Sequence, residues 1–131
     1  MKSAATRRLS AMAMGALLST AAGMAQAEAP TEQEALKLAT GAGCMTCHHI
    51  DPSAKGPDGM APIGPAWKDV SAKYAGQTDA QAKLTQIVLA GSSPYESHWK
   101  GKVSGLSMPP NKVAISEADA GKLVSWILTL K

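Results

Sequence analysis

The chain has 131 residues, and Lys and Arg (13) outnumber Asp and Glu (10) only because the first 27 residues carry three positive charges and no negative one. The other 104 residues are formally neutral, so they lack the electrostatic basis for nucleic-acid binding. They contain three Trp, two Tyr and no Phe, which predicts one small domain with a modest aromatic core.

The N-terminal segment has the organisation of a secretory signal peptide. Three basic residues precede an apolar run over residues 9–24, and Ala25-Gln26-Ala27 has the pattern of a cleavage site. We therefore predict a signal peptide over residues 1–27, cleaved after Ala27, and a mature domain over residues 28–131. The apolar run is short for a membrane-spanning helix, so we expect no stable membrane insertion. An uncleaved N-terminal anchor is the alternative.

The first half of the mature chain predicts two helices separated by a long loop. Thr31 and Glu34 have the spacing of a capping box and begin the first helix, which two glycines end just before Cys44. Residues 51–65 are rich in Pro and Gly and predict an irregular loop. Residues 67–74 predict a short second helix, which the next glycine ends.

The second half predicts two more helices around a second loop. Thr78 and Gln81 are expected to cap the third helix, and residues 92–112 form the second irregular segment. Ser116 is expected to cap the last helix, over residues 117–130. Since no segment alternates as a strand does, the predicted fold class is all-α, with four helices and two loops that each cover one face of a cofactor.

The cofactor is indicated by the segment Cys44-Met45-Thr46-Cys47-His48, which reads C-x-x-C-H. Two thiols at this spacing can each form a thioether to haem, and the adjacent imidazole can bind the iron. A redox-active dithiol would need a βαβ context, a disulfide leaves His48 unexplained, and a zinc site lacks a second ligand pair. We predict one haem c, attached through Cys44 and Cys47, with His48 as an iron ligand through Nε2. Its other ring nitrogen should donate to a carbonyl of the loop over residues 63–65.

The second iron ligand is expected to be a methionine. Met45 lies inside the attachment segment, and Met60 lies in the loop on the same side as His48. Met108 lies on the second loop, where the two prolines that follow it stiffen the backbone, so we predict Met108 as the ligand. His98 is the rival ligand, and His49 is expected to point away towards the surface.

Several motifs, in order along the mature chain, carry a family resemblance. They are C-x-x-C-H-H-I-D (residues 44–51), I-G-P-A-W-K-D-V (63–70), Y-A-G-Q (74–77), M-P-P-N (108–111) and the L…W-I-L segment of the last helix (123–128). Together they resemble the small bacterial class I cytochromes c of the cytochrome c-551 (c8) type. The resemblance implies the class I cytochrome c fold, with about four helices around one covalently attached haem.

The resemblance also implies roles for individual residues. Pro65 would accept the hydrogen bond from His48, Asn111 would donate to the sulfur of Met108, and Trp99 would reach a haem propionate. The haem would be walled by three aliphatic side chains, Ile63, Leu84 and Val88. The chain departs from the family in its two longer loops and in Ile87, which stands where relatives can carry a propionate-binding Arg. Lys100 or Lys102 could take over that role.

The function that the resemblance implies is that of a monomeric, periplasmic one-electron carrier of a respiratory chain, without enzymatic activity. Redox partner proteins would dock transiently around the haem edge, for which the lysine candidates are Lys55, Lys68, Lys73, Lys100 and Lys102. Two alternatives stay open at this point. One is the electron-entry subunit of a larger oxidoreductase, and the other is a haem enzyme or sensor with a displaceable sixth ligand.

Overall fold

Four α-helices make up most of the regular structure of residues 29–131, the part of the chain that this computed structural model describes. They are α1 (Glu32–Gly41), α2 (Trp67–Tyr74), α3 (Ala80–Ala90) and α4 (Glu117–Ile127). Short 3₁₀ turns lie at Cys44–Thr46 and Pro57–Gly59, and residues 29–131 contain no strand beyond one isolated bridge between Lys100 and Val103. The all-α prediction with four helices is therefore confirmed. The predicted signal peptide lies outside the described residues.

Two of the predicted helix starts have the expected side-chain caps. The Thr31 hydroxyl accepts a hydrogen bond from the Glu34 amide at 3.3 Å, and the Glu34 carboxylate accepts from the Thr31 amide at 2.8 Å. The Ser116 hydroxyl accepts from the Asp119 amide at 3.1 Å. These caps satisfy amides that have no partner within the helix, so they define where α1 and α4 begin.

The predicted cap of α3 is wrong. Asp79 is the N-cap residue of this helix, and no side chain caps it. A backbone turn leads into the helix instead, because the Ala80 amide donates to Gln77 at 3.3 Å. The Gln81 side chain donates to the Gly121 carbonyl at 3.3 Å, so it ties α3 to α4 rather than closing a capping box.

The last helix ends at Ile127, earlier than predicted. The chain tightens there into turns, and the Ser71 hydroxyl on α2 lies 3.0 Å from the Leu128 carbonyl and 2.8 Å from the Leu130 carbonyl. Ser71 is buried, and its one hydroxyl hydrogen can be donated to either of these carbonyls, which the end of the helix leaves free.

Helix α4 is the central element of the core, because it contacts each of the other three helices. Ala35 and Ala39 of α1 are fully buried in this core. The Trp67 ring of α2 meets the Trp126 ring of α4 edge to face, with centroids 5.8 Å apart. Such aromatic pairs add to the stability gained from burial, so this contact anchors α2 on α4.

The two long loops are joined to each other by main-chain hydrogen bonds. The Ser104 amide donates to Pro62 at 2.9 Å, and the Gly105 amide donates to Ile63 at 3.0 Å. The approach is so close that a Cβ at Gly105 would lie 2.5 Å from the Ile63 carbonyl oxygen. This pairing, which we call the loop bridge, fixes the second loop against the first.

No helix within the described range is both long and apolar enough to cross a membrane.

Candidate functional site

A cavity of about 580 Å³ lies between the helices and the two loops. All the predicted site residues except Asn111 line it: Cys44, Cys47, His48, Ile63, Pro65, Leu84, Val88, Trp99 and Met108. Residues from α2, α3 and α4 complete the wall, including Val70, Ile87 and Leu123. The fold therefore gathers side chains from distant parts of the sequence around one largely apolar space of the size typical for cofactor sites.

The attachment segment forms a tight turn against this cavity. Gly43 adopts a left-handed conformation (φ 76°), and the amides of Cys47 and His48 then both donate to the Cys44 carbonyl, at 3.2 and 3.1 Å. The two cysteines form no disulfide with each other, and burial raises the pKa of the Cys44 thiol. The turn thus brings both cysteine side chains and one imidazole to the same wall.

The imidazole of His48 is held from three sides. Its Nδ1 lies 2.8 Å from the Pro65 carbonyl oxygen, and its ring stacks on Trp67 with centroids 6.0 Å apart. A Cβ at Gly64 would lie only 2.7 Å from its Cε1. The carbonyl can only accept, so Nδ1 carries the hydrogen and Nε2 keeps its lone pair. Burial lowers the pKa of His48 and thereby favours this neutral, ligating form.

Met108 is held through its backbone. Its amide donates to the Ser92 hydroxyl at 2.9 Å, and its carbonyl accepts from the Ser92 amide at 3.0 Å. The predicted hydrogen bond from Asn111 to the Met108 sulfur is not formed. The Asn111 side-chain amide has two hydrogens, and it donates to Val88 at 3.2 Å and to Pro109 at 2.7 Å. Asn111 therefore fastens the end of this segment to α3.

The other candidate ligands are placed differently. Met60 is 56% exposed and Met45 packs beside the core, so Met108 is the methionine that lines the cavity among the described residues. His49 is half-buried and does not line it. His98 is exposed at the cavity rim, with its Nε2 3.0 Å from Lys102 Nζ. Desolvation and the charge of Lys102 lower the pKa of His98.

The lysines that line the cavity differ from Lys100 and Lys102, the two that the sequence indicated for binding a haem propionate. Lys73 and Lys83 line the cavity, with their amino groups 5.5 and 5.8 Å from the centroid of the Tyr74 ring. Lys102 lies over the Trp99 ring, with its amino group 5.7 Å from the ring centroid, but neither Lys100 nor Lys102 lines the cavity. No pattern in the sequence indicated that Lys73 and Lys83 lie at the cavity, because they belong to α2 and α3 and not to the second loop.

The donor set fits a haem c. Two thiols with C-x-x-C spacing, a neutral imidazole with a free Nε2 and a thioether all line one cavity. Aliphatic and aromatic side chains make up much of the remaining wall, which suits a flat apolar ring. The lysines at the cavity suit a ligand that carries carboxylates.

Fold and site together define a small single-haem cytochrome of class I. The sequence model of the family described as cytochrome c matches residues 20–131, so the chain belongs to the cytochrome c family. It is a bacterial class I cytochrome c of the cytochrome c-551 type, with one covalently attached haem c, as the resemblance implied.

Individual relatives agree with this assignment. Cytochrome c-552 of Nitrosomonas europaea is 39% identical over 126 residues, which cover 96% of this chain and 98% of that protein. Cytochrome c-551 of Pseudomonas aeruginosa is 39% identical over 89 residues, covering 68% of this chain and 69% of that protein. The crystal structure of wild-type Nitrosomonas europaea cytochrome c552 superposes with a TM-score of 0.58 at 38% identity, covering 73% of this chain and 99% of that one.

Proposed function

We propose that this protein is a periplasmic one-electron carrier whose iron is bound by His48 and Met108. The observation that carries the proposal is that both side chains line one cavity together with the Cys44 and Cys47 thiols. The haem, when bound, supplies a centre that takes up and releases one electron between Fe(II) and Fe(III). With His48 and Met108 both holding the iron, no coordination position would be open to a substrate, and we propose no enzymatic activity.

His48 is proposed to bind iron through Nε2 while Nδ1 donates to Pro65. This hydrogen bond, at 2.8 Å, orients the ring and increases its basicity. Both effects hold the ring in place when the charge of the iron changes, which is what a carrier needs for fast transfer.

The remaining site residues are proposed to exclude water and to hold the edge of the ring. Ile63, Leu84 and Val88 supply aliphatic wall, and a dry, apolar site favours the reduced state of a metal that gains charge on oxidation. Trp99 is half-buried at the cavity and is proposed to meet a propionate. Asn111 contributes by anchoring the backbone of the Met108 segment.

The protein is proposed to be exported and to meet its partners in the periplasm. We propose that residues 1–27 are a signal peptide cleaved after Ala27, and that the mature protein works as a monomer in the periplasm. Its partners are redox proteins that dock transiently near the cavity mouth. Of the lysines considered for docking, Lys73 lines the cavity, whereas Lys68 forms an ion pair with Asp51 at 3.2 Å.

The ferric absorption spectrum tests the ligand set. We expect a near-infrared charge-transfer band from Met–iron ligation in the wild type, and its loss in Met108→Ala with retention in Met60→Ala. A high-spin ferric spectrum, together with ready binding of carbon monoxide by the reduced wild-type protein, would instead support an open-site enzyme or sensor.

Intact-mass measurement of the protein purified from its exported fraction tests the remaining points. The expected mass corresponds to a chain beginning at Glu28 plus one haem. A mass that includes residues 1–27 would contradict the proposed cleavage, and elution with other subunits would contradict a free monomer.

A further inference from the structure

We propose that Ser92 is a positioning residue that sets the location of Met108 through its backbone. The proposal rests on Met108 as an iron ligand. Ser92 uses two separate groups for this purpose: its hydroxyl accepts from the Met108 amide at 2.9 Å, and its own amide donates to the Met108 carbonyl at 3.0 Å. Both main-chain polar groups of Met108 are therefore paired with one residue, which lies 16 positions earlier in the chain.

The end of α3 brings Ser92 to this place. Gly91 follows the last residue of α3 with φ 84° and ψ 177°, a conformation that is essentially restricted to glycine. This turn directs the chain alongside the Met108 segment, and a Cβ at Gly91 would lie 2.8 Å from the Met108 carbonyl oxygen. The two backbones thus run in direct contact.

The same helix end holds the far side of the Met108 segment. The Val88 carbonyl belongs to the last turn of α3, where carbonyls lack donors within the helix. It accepts from the Asn111 backbone amide at 3.1 Å and from the Asn111 side chain at 3.2 Å. Met108 therefore lies between two attachments to one rigid helix end, and Ser92 supplies the one nearer to the ligand.

The hydrogen bonds with Ser92 matter because the thioether of Met108 is a weak ligand for iron. A neutral thioether binds iron less strongly than an imidazole or a thiolate does, so its affinity depends on how well the protein confines it. Without the Ser92 hydroxyl, the amide of the half-buried Met108 loses its partner and the segment gains freedom. The open form, in which another ligand can reach the iron, should then become more populated.

The test measures imidazole binding to the ferric holoprotein and amide hydrogen exchange at Met108. In Ser92→Ala we expect imidazole to bind about three- to tenfold more tightly, the factor that one hydrogen bond corresponds to. Exchange at the Met108 amide should accelerate by a comparable factor. Ser92→Thr keeps a hydroxyl and should retain nearly the wild-type values.

The matched control is Ser93→Ala, the same change one residue further along. The exposed Ser93 also lines the cavity, but within residues 29–131 its side chain has no hydrogen bond to Met108 and accepts from the Tyr95 amide at 3.2 Å, so both readouts should stay at wild-type values. Equal imidazole affinities in S92A and S93A would overturn the proposal, as would a loss of stability in S92A with imidazole affinity unchanged. A wild type without a Met–iron band would refute the ligand assignment instead, while exchange at Met108 would still report whether Ser92 holds that residue.

Discussion

Replacing Gly64 with alanine places a methyl group against the ring of His48. A Cβ at this position would lie 2.7 Å from His48 Cε1, 2.9 Å from Nδ1 and 3.1 Å from the Cys47 carbonyl oxygen. The ring has little freedom to yield, because it stacks on Trp67 and donates to Pro65. The Gly64 backbone cannot retreat easily either, since its amide donates to the Cys47 carbonyl at 2.7 Å.

The size of the effect follows from these contacts. Gly64 is not among the glycines with positive φ, so alanine meets no backbone strain and the cost is steric. Overpacking costs about 1–3 kcal/mol, and a weakened hydrogen bond from His48 to Pro65 adds about 1 kcal/mol. We therefore expect the free energy of unfolding of the holoprotein to fall by about 2–4 kcal/mol.

Urea unfolding of Gly64→Ala, compared with Gly41→Ala, measures this cost. Gly41 is the last residue of α1 and has nothing within 4 Å of a Cβ, so alanine there should stabilise by at most about 1 kcal/mol. The reduction potential gives a second readout: a weaker hydrogen bond at Nδ1 makes His48 less basic, which destabilises Fe(III) and raises the potential. If G64A unfolds at the same urea concentration as G41A and keeps the wild-type potential, the close packing of His48 against Gly64 is refuted.

Three further substitutions have defined expectations. Thr31→Ala should raise the lowered pKa of Glu34 towards its ordinary 4.5, measurable by NMR titration. Because the capping box lowers that pKa, its stabilisation is present above pH 4.5 and is lost as the pH falls. T31A should therefore lose less free energy of unfolding than the wild type as the pH falls below 4.5, and an equal loss would contradict this. Gly91→Ala should lower the free energy of unfolding by about 1–3 kcal/mol from backbone strain alone. It should also weaken the Met–iron band, because the new Cβ would press on the Met108 carbonyl. A urea midpoint equal to that of the wild type would argue against this expectation. Met60→Ala should change stability by less than about 0.5 kcal/mol, since the side chain is 56% exposed, and a larger loss in thermal unfolding would show a packing role.

The sequence predicted those features that depend on residues close together in the chain. The capping box of α1, the Ser116 cap of α4 and the bounds of α2 depend on spacings of three or four residues and on a following glycine, so local physics determines them. The C-x-x-C-H segment is equally local, since one short turn orients both thiols and His48. The hydrogen bond between His48 and Pro65 spans 17 residues and was predicted through the family resemblance, because no local rule selects that carbonyl.

The predictions that were wrong, and the contacts that went unpredicted, concern polar groups whose partners come from elsewhere in the fold. Asn111 donates to Val88, 23 residues earlier, because the end of α3 leaves that carbonyl free. The end of α4 depends on Ser71, which lies 57 residues before Leu128. A side-chain amide or hydroxyl can serve several acceptors, and the tertiary neighbours decide which one it meets.

The attachments of His48 and Met108 belong to different parts of the fold. The ring of His48 is oriented by the loop that precedes α2, whereas Met108 is held by the end of α3. The loop bridge at Ile63 and Gly105 connects these two systems directly, outside the hydrophobic core that the four helices form. The distance between the proposed ligands is therefore set by main-chain hydrogen bonds in the irregular segments, which explains how two long loops without regular structure can hold a rigid site.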